Sequence, residues 1–101
     1  MRTNKEFYTE KQIKLARFAK ALGHPARIYA LQFLAKENQC YSGNIIEKLP
    51  IAASTLSQHL TELKNAGLIQ GCIEQPKIKY CINKENWKLA KKYFKEILEI
   101  I

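Results

Sequence analysis

The chain has 101 residues, 47% of them hydrophobic, and its 17 Lys and Arg against 9 Asp and Glu give a formal net charge of +8. A chain this short is one domain that buries little surface alone and gains from pairing with a second copy, and its excess of cations favours a polyanionic partner, nucleic acid or an anionic surface. No run approaches the roughly 18 consecutive apolar residues of a membrane span and no signal-peptide pattern opens the chain, so a reducing cytoplasm is the expected compartment, with no membrane partner.

Residues 4–22 place Ile13, Leu15, Phe18, Ala19 and Leu22 at three-to-four spacing, with Lys11, Lys14, Arg17 and Lys20 on the other faces, which predicts an amphipathic helix. Gly23-His24-Pro25 ends it and starts a second, since glycine suits a helix C-terminus and proline the first helical position. The second helix runs to about Lys36 and buries Ile28, Leu31, Phe33 and Leu34, and Glu37-Asn38-Gln39 reads as a polar loop. Gly43 to Leu49 forms a short helix that Pro50 stops, and residues 53–66 form a longer one carrying Leu56, Leu60 and Leu63 at i, i+4 and i+7. After Gly67 the period changes. Residues 68–74 and 78–82 are β-type runs on either side of Gln75-Pro76-Lys77, a hairpin in which Ile78, Tyr80 and Ile82 share one face and Lys79 and Cys81 the other. A last helix, 84–101, carries Trp87, Ala90, Phe94, Ile97 and Ile101 on one stripe, widened by Tyr93, Leu98 and Ile100.

A short helix, a tight turn and a second helix make a helix-turn-helix, here at about 43–66, and the hairpin at about 68–82 supplies a wing. The expected fold is mainly α with a small β-hairpin wing: one winged helix-turn-helix domain. Two segments, Lys20-Ala-Leu-Gly-His-Pro-Ala-Arg27 and Ser54-Thr-Leu-Ser-Gln-His-Leu-Thr-Glu-Leu-Lys-Asn-Ala-Gly-Leu-Ile69, carry a resemblance to the ArsR/SmtB family of winged-helix repressors over nearly the whole chain. The resemblance implies a homodimer that represses an operon, with effector binding weakening the DNA complex.

Charge alone does not identify the contact surface. Residues 1–22 hold six Lys and Arg against two acids and 83–101 hold five against three, while 23–67 are nearly balanced. Base contacts must therefore come from polar side chains in the middle of the chain, and the candidates are Ser54, Thr55, Ser57, Gln58 and Thr61, with Lys64 toward the end of the same helix. Glutamine pairs bidentately with adenine in the major groove, and Ser or Thr serves bases or phosphates. His59 matches the family's histidine before leucine; it reaches a phosphate at the groove edge or is a hydrogen-bonded structural residue. Lys77 and Lys79 at the wing suit phosphate or minor-groove contacts, or guard an edge strand, and Arg27 touches a phosphate or fixes the helix junction. Ala52 stands where the family often has a Ser or Thr cap.

The first and last helices, 4–22 and 84–101, are the expected dimerisation helices, through Phe18, Trp87, Tyr93, Phe94, Ile97, Leu98 and Ile101. Metal-sensing relatives use a C-x-C motif before the short helix or an Asp, His and Glu set on the last one. Here Cys40 has no second thiol beside it and the only histidines are His24 and His59, too few soft ligands for either site. No metal, cofactor or catalytic set is expected. Cys40, Cys72 and Cys81 should stay thiols in a reducing compartment, and an odd count without C-x-x-C speaks against a disulfide framework. A four-residue turn would set Cys72 opposite Cys81, either as two small residues on a hairpin face or as a redox pair of the labile kind. The functional expectation is a sequence-specific repressor that binds double-stranded operator DNA as a homodimer and answers an unidentified effector. The alternative is a winged-helix protein-interaction or RNA-binding module without base readout.

Overall fold

The computed structural model describes residues 7–74 and 77–101. The elements run α1 (Glu10–Ala21), α2 (Pro25–Lys36), β1 (Cys40–Tyr41), α3 (Ile45–Lys48), α4 (Ala53–Asn65), β2 (Ile69–Glu74), β3 (Lys77–Ile82) and α5 (Lys84–Leu98).

Local chemistry sets the boundaries. Thr9 accepts from the Gln12 backbone N–H at 3.0 Å while the Gln12 side chain accepts from the Thr9 N–H at 2.9 Å, a capping box that starts α1 at Glu10. The helix expected from residue 4 therefore starts six residues later; residues 4–6 lie outside the described residues, and Phe7 to Thr9 are not helical. His24 caps α2 through Nδ1, which accepts from the Ala26 N–H at 3.0 Å, and Pro25 follows in the first turn. Asn44 and Asn83 cap α3 and α5 in the same way, whereas Ala52 leaves α4 without a side-chain cap. At the end of α4, Gly67 takes φ +84°, and the Leu68 N–H returns to the Leu63 carbonyl. A side chain there would also meet the Asn86 amide, which donates to the Gly67 carbonyl at 2.9 Å. α5 ends at Leu98, so Ile100 and Ile101 stand beyond the helix on which the sequence placed them.

The sheet is three-stranded and antiparallel, in the order β1-β3-β2. β1 is an element the sequence reading missed. It follows two consecutive residues in the left-handed region, Asn38 (φ 56°) and Gln39 (φ 72°), a conformation that side-chain-bearing residues adopt at a cost of about 1–2 kcal/mol. The reversal lays Cys40 and Tyr41 against Cys81 and Tyr80.

The wing register also departs from expectation. Glu74 faces Lys77 and Cys72 faces Lys79, so the hairpin loop is two residues and Cys72 is not opposite Cys81. A slip of two residues leaves every side chain on its own face, so alternation cannot choose between the two registers. The core chooses: Ile69 faces Ile82, at 1% and 8% exposure, and the Asn83 N–H donates to the Leu68 carbonyl at 2.9 Å. The partner of Cys81 is Cys40, to which it is joined by a disulfide. This corrects both the Cys72–Cys81 pairing and the expectation of three free thiols; Cys72 alone is a free, exposed cysteine.

The core gathers Phe18 and Ala21 of α1, Ala30, Leu31 and Leu34 of α2, Ile45 and Leu49 around α3, Leu56, Leu60 and Leu63 of α4, Leu68, Ile69 and Ile82 of the sheet, and Ala90 of α5. Phe18, expected at a dimer interface, is 1% exposed and belongs to the protomer's own core.

Candidate nucleic-acid interface

α4 has two unlike faces. Leu56, His59, Leu60 and Leu63 are buried. Ser54, Thr55, Ser57, Gln58, Thr61 and Lys64 are all exposed. Five of these six exposed side chains are uncharged, which is unusual for a face that merely meets water and suited to hydrogen bonding with base edges. Thr61 donates to the Ser57 carbonyl at 3.0 Å, which fixes its hydroxyl along the helix.

α4 is tethered at several points. Arg17 of α1 donates to the Asn65 carbonyl at 2.8 Å, at the C-terminal end of the helix. Near its middle, Arg27 of α2 donates from Nε to His59 Nδ1 at 3.1 Å, and from Nη1 to the carbonyls of Lys20 and Ala21 at 3.2 and 3.4 Å. One guanidinium thus ties together the end of α1, the start of α2 and the inner face of α4. The His24 ring lies 4.2 Å from the His59 ring, centroid to centroid, and closes the cluster.

Because Nδ1 accepts a hydrogen bond, neutral His59 carries its proton on Nε2, an atom that is buried and has no hydrogen-bond partner. Burial pushes the His59 pKa below its ordinary 6.5, and His24 and Arg27 push the same way against Glu62. His59, at 7% exposure, faces inward and is engaged by Arg27; of the two roles expected for it, the hydrogen-bonded structural one is observed. The junction role of Arg27 is likewise the one observed.

In the wing, Lys79 is half-buried on β3. Lys77 opens the same strand, and the preceding Gln75 and Pro76 lie outside the described residues. The wing hairpin follows α4 after only Ala66, Gly67 and Leu68, so its first strand starts beside the C-terminus of that helix.

Residues 24–70, which span α2, the helix-turn-helix and the first residues of the wing, match the family described as bacterial regulatory protein, arsR family. An HTH-type transcriptional regulator of Methanocaldococcus jannaschii is 38% identical over 61 residues, which are 60% of this chain and 68% of the relative. The chain belongs to the ArsR family of transcriptional regulators. ArsR-family structures reproduce the fold. The NMR structure of a cadmium sensor from Mycobacterium tuberculosis superposes with a TM-score of 0.56 at 29% identity, over 85% of this chain and 84% of that one. A homodimeric winged helix-turn-helix DNA-binding domain from Mycobacterium bovis gives 0.63 at 23% identity, over 97% and 88%. The protein is accordingly a DNA-binding transcription regulator with a winged helix-turn-helix.

Two further features of this ArsR-family chain bear on its use. Among the described residues, no three His, Cys, Asp or Glu side chains gather in a metal-binding arrangement, and no helix is long and apolar enough to cross a membrane. α1 and α5 run alongside each other, joined by an ion pair between Lys11 and Glu96 and by the Lys11 ammonium 5.2 Å from the Tyr93 ring centroid. Trp87, Tyr93 and Phe94 are half-buried against the core, whereas Phe7, Tyr8, Ile97, Leu98, Ile100 and Ile101 stand exposed around the paired ends of α1 and α5.

Proposed function

We propose that this protein is a homodimeric, cytoplasmic repressor of the ArsR type that reads operator DNA through α4, lacks the metal sites used by metal-sensing relatives, and performs no catalysis. The carrying observation is the exposed polar face of α4, which is anchored to the core on its other side by four buried residues and followed in the chain by a wing hairpin. Within it, Ser54, Thr55, Ser57, Gln58 and Thr61 supply base and phosphate contacts, Lys64 a phosphate contact at the helix end, and Lys77 and Lys79 backbone contacts from the wing. His59 takes part only by setting the height of α4 over the core.

The dimer forms through α1 and α5. Phe7, Tyr8, Ile97, Leu98, Ile100 and Ile101 form the unburied apolar end of the protomer, with Trp87, Tyr93 and Phe94 backing it. A two-fold axis there places two recognition helices about one DNA turn, roughly 34 Å, apart. In this scheme the chain is a single domain with the helix-turn-helix at 43–66, the wing at 68–82 and dimerisation helices at either end. The Mycobacterium tuberculosis neighbour is a cadmium sensor, but here the one thiol ahead of α3 is bonded into the sheet and α5 carries no histidine or cysteine, so the trigger differs.

The test is selection of binding duplexes from a random pool, followed by titration across a salt series. A selected duplex should outcompete excess unrelated DNA, and its affinity should fall steeply as salt rises. Gln58→Ala should cost about 1–3 kcal/mol and relax preference at one base position, while Lys77→Ala should weaken all sequences alike. Equal affinity for every duplex would sink the repressor reading in favour of a protein-interaction or RNA-binding module.

A further inference from the structure

We propose that Cys40 and Cys81 form a reversible thiol site, oxidised by hydroperoxides, whose closure locks the wing to the entry of the helix-turn-helix and strengthens DNA binding. The last step rests on the reading of α4 and the wing as the DNA-binding surface.

The pairing follows from the ladder. Gln39 accepts from the Ile82 N–H at 2.7 Å while its own N–H goes to the Leu34 carbonyl, so Gln39 and Ile82 hold the hydrogen-bonded position through one bond, and Cys40 and Cys81, one step along, take the non-hydrogen-bonded position. Side chains approach most closely at such positions, and the two Cα atoms are 4.0 Å apart. The thiols therefore need no rearrangement to meet. Neither cysteine is fully buried, so oxidants and reductants reach both. Disulfides that solvent reaches are the labile, regulatory kind, whereas shielded ones resist reduction.

The site's position gives closure a consequence. β1 has only two residues, makes two ladder pairs, and is entered through the left-handed Asn38 and Gln39. Beyond it, Ser42, Gly43 and Asn44 lead directly into α3. β3 is the central strand of the sheet and one of the two wing strands. The Cys40–Cys81 bond is the covalent tie between them, while the Tyr41 ring packs edge-on against Phe33 of α2 at 5.0 Å. With the bond open, the short edge strand can leave the sheet, and its ordering is then charged to the DNA-binding equilibrium.

The chemistry balances. One thiolate attacks the hydroperoxide, breaking the O–O bond and leaving a sulfenic acid and an alcohol (water, when the peroxide is hydrogen peroxide). The second thiol attacks the sulfenic sulfur, the S–S bond forms and water leaves. Two thiols lose two electrons, and one hydroperoxide gains them. A dithiol reductant restores the pair by exchange. Cys72 faces Lys79, two residues from the position opposite Cys81, and takes no part.

The experiment uses the full chain, reduced by a dithiol or oxidised by hydrogen peroxide and then desalted. Thiol counting with peptide mapping should find three free thiols in the reduced protein and Cys72 alone in the oxidised one. A duplex selected from a random pool should bind the oxidised protein about three- to tenfold more tightly than the reduced, the cost expected for ordering a short segment on binding. Cys72→Ser should keep this difference and Cys40→Ser should abolish it; should Cys40→Ser fail to fold, the wild-type comparison decides. Consumption of Cys72 in place of Cys40, equal affinities, or tighter binding by the reduced protein would each overturn the proposal. If no duplex is selected at all, the DNA reading fails while the thiol map still reports on the pair.

Discussion

Replacing Arg27 by methionine tests the reasoning about the helix junction most directly. The substitution keeps an apolar stem of similar length and removes three donated hydrogen bonds, those to His59 Nδ1 and to the carbonyls of Lys20 and Ala21. The Lys20 carbonyl is at the surface and is recovered by water, so little is lost there. His59 is the costly member: its Nε2 is already buried without a partner, and losing the Nδ1 contact strands the whole ring inside the protein. A buried polar group left unsatisfied costs ~1–3 kcal/mol and a bond to a charged group contributes ~1.5–3 kcal/mol, so a total of about 3 kcal/mol is expected. For a domain of this size that corresponds to a fall in Tm of about 12–24 °C. The assay is thermal unfolding by circular dichroism at fixed protein concentration, with Lys11→Met as the control. Lys11 sits in an exposed ion pair with Glu96, and its loss should leave Tm nearly unchanged. A fall of less than about 4 °C for Arg27→Met, corresponding to under 1 kcal/mol, would refute the view that this guanidinium holds α1, α2 and α4 together.

Three other outcomes are expected. His59 has its pKa lowered from 6.5 by burial and by the neighbouring His24 and Arg27, against Glu62, so the unfolded chain takes up this proton before the folded one does. Stability is complete above the ordinary histidine value and is lost as pH falls through 6.5 toward the lower folded value; the fall in Tm over this range should shrink in His59→Gln, and an unchanged slope would show that another group is responsible. Ala52 gives α4 no side-chain cap, so Ala52→Ser should add about 1 kcal/mol of stability, read as a higher urea midpoint at unchanged slope. Leu98, 76% exposed at the apolar end of α5, can take a charge without disturbing the core: Leu98→Glu should convert dimer to monomer in analytical ultracentrifugation with the circular dichroism spectrum unchanged, and a persistent dimer would remove α5 from the interface.

Much of the architecture was legible in the residues because helices are written by local rules. The i, i+4, i+7 leucines of α4 and the Gly23-His24-Pro25 junction act within a turn or two of chain. The polar face of α4 was visible for the same reason, since a residue on a helix of known phase faces away from its apolar stripe. The start of α1 is also written locally: Thr9 and Gln12 have the spacing of a capping box, which sets the helix at Glu10 rather than at residue 4.

What only the tertiary structure decided depends on segments distant in the chain. Two residues are too few to show a period, so β1 left no alternation to find, and its pairing spans a separation of 41 residues from Cys40 to Cys81. The wing register was undetermined because a two-residue slip preserves every face, and burial of Ile69 against Ile82 settled it. The inward turn of His59 was equally hidden, since a polar residue between Gln58 and Leu60 reads as a boundary position until Arg27, 32 residues earlier, is brought against it. Phe18 looked like interface because an amphipathic stripe does not say which surface it will meet, and in the folded chain that surface is the protomer's own core. The sequence by itself thus determined the helices, apart from the outer ends of α1 and α5, and the exposed polar face of α4, through contacts within a few residues. The sheet, its cysteine bond and the clamp under α4 were decided by contacts that exist only once the chain has closed on itself.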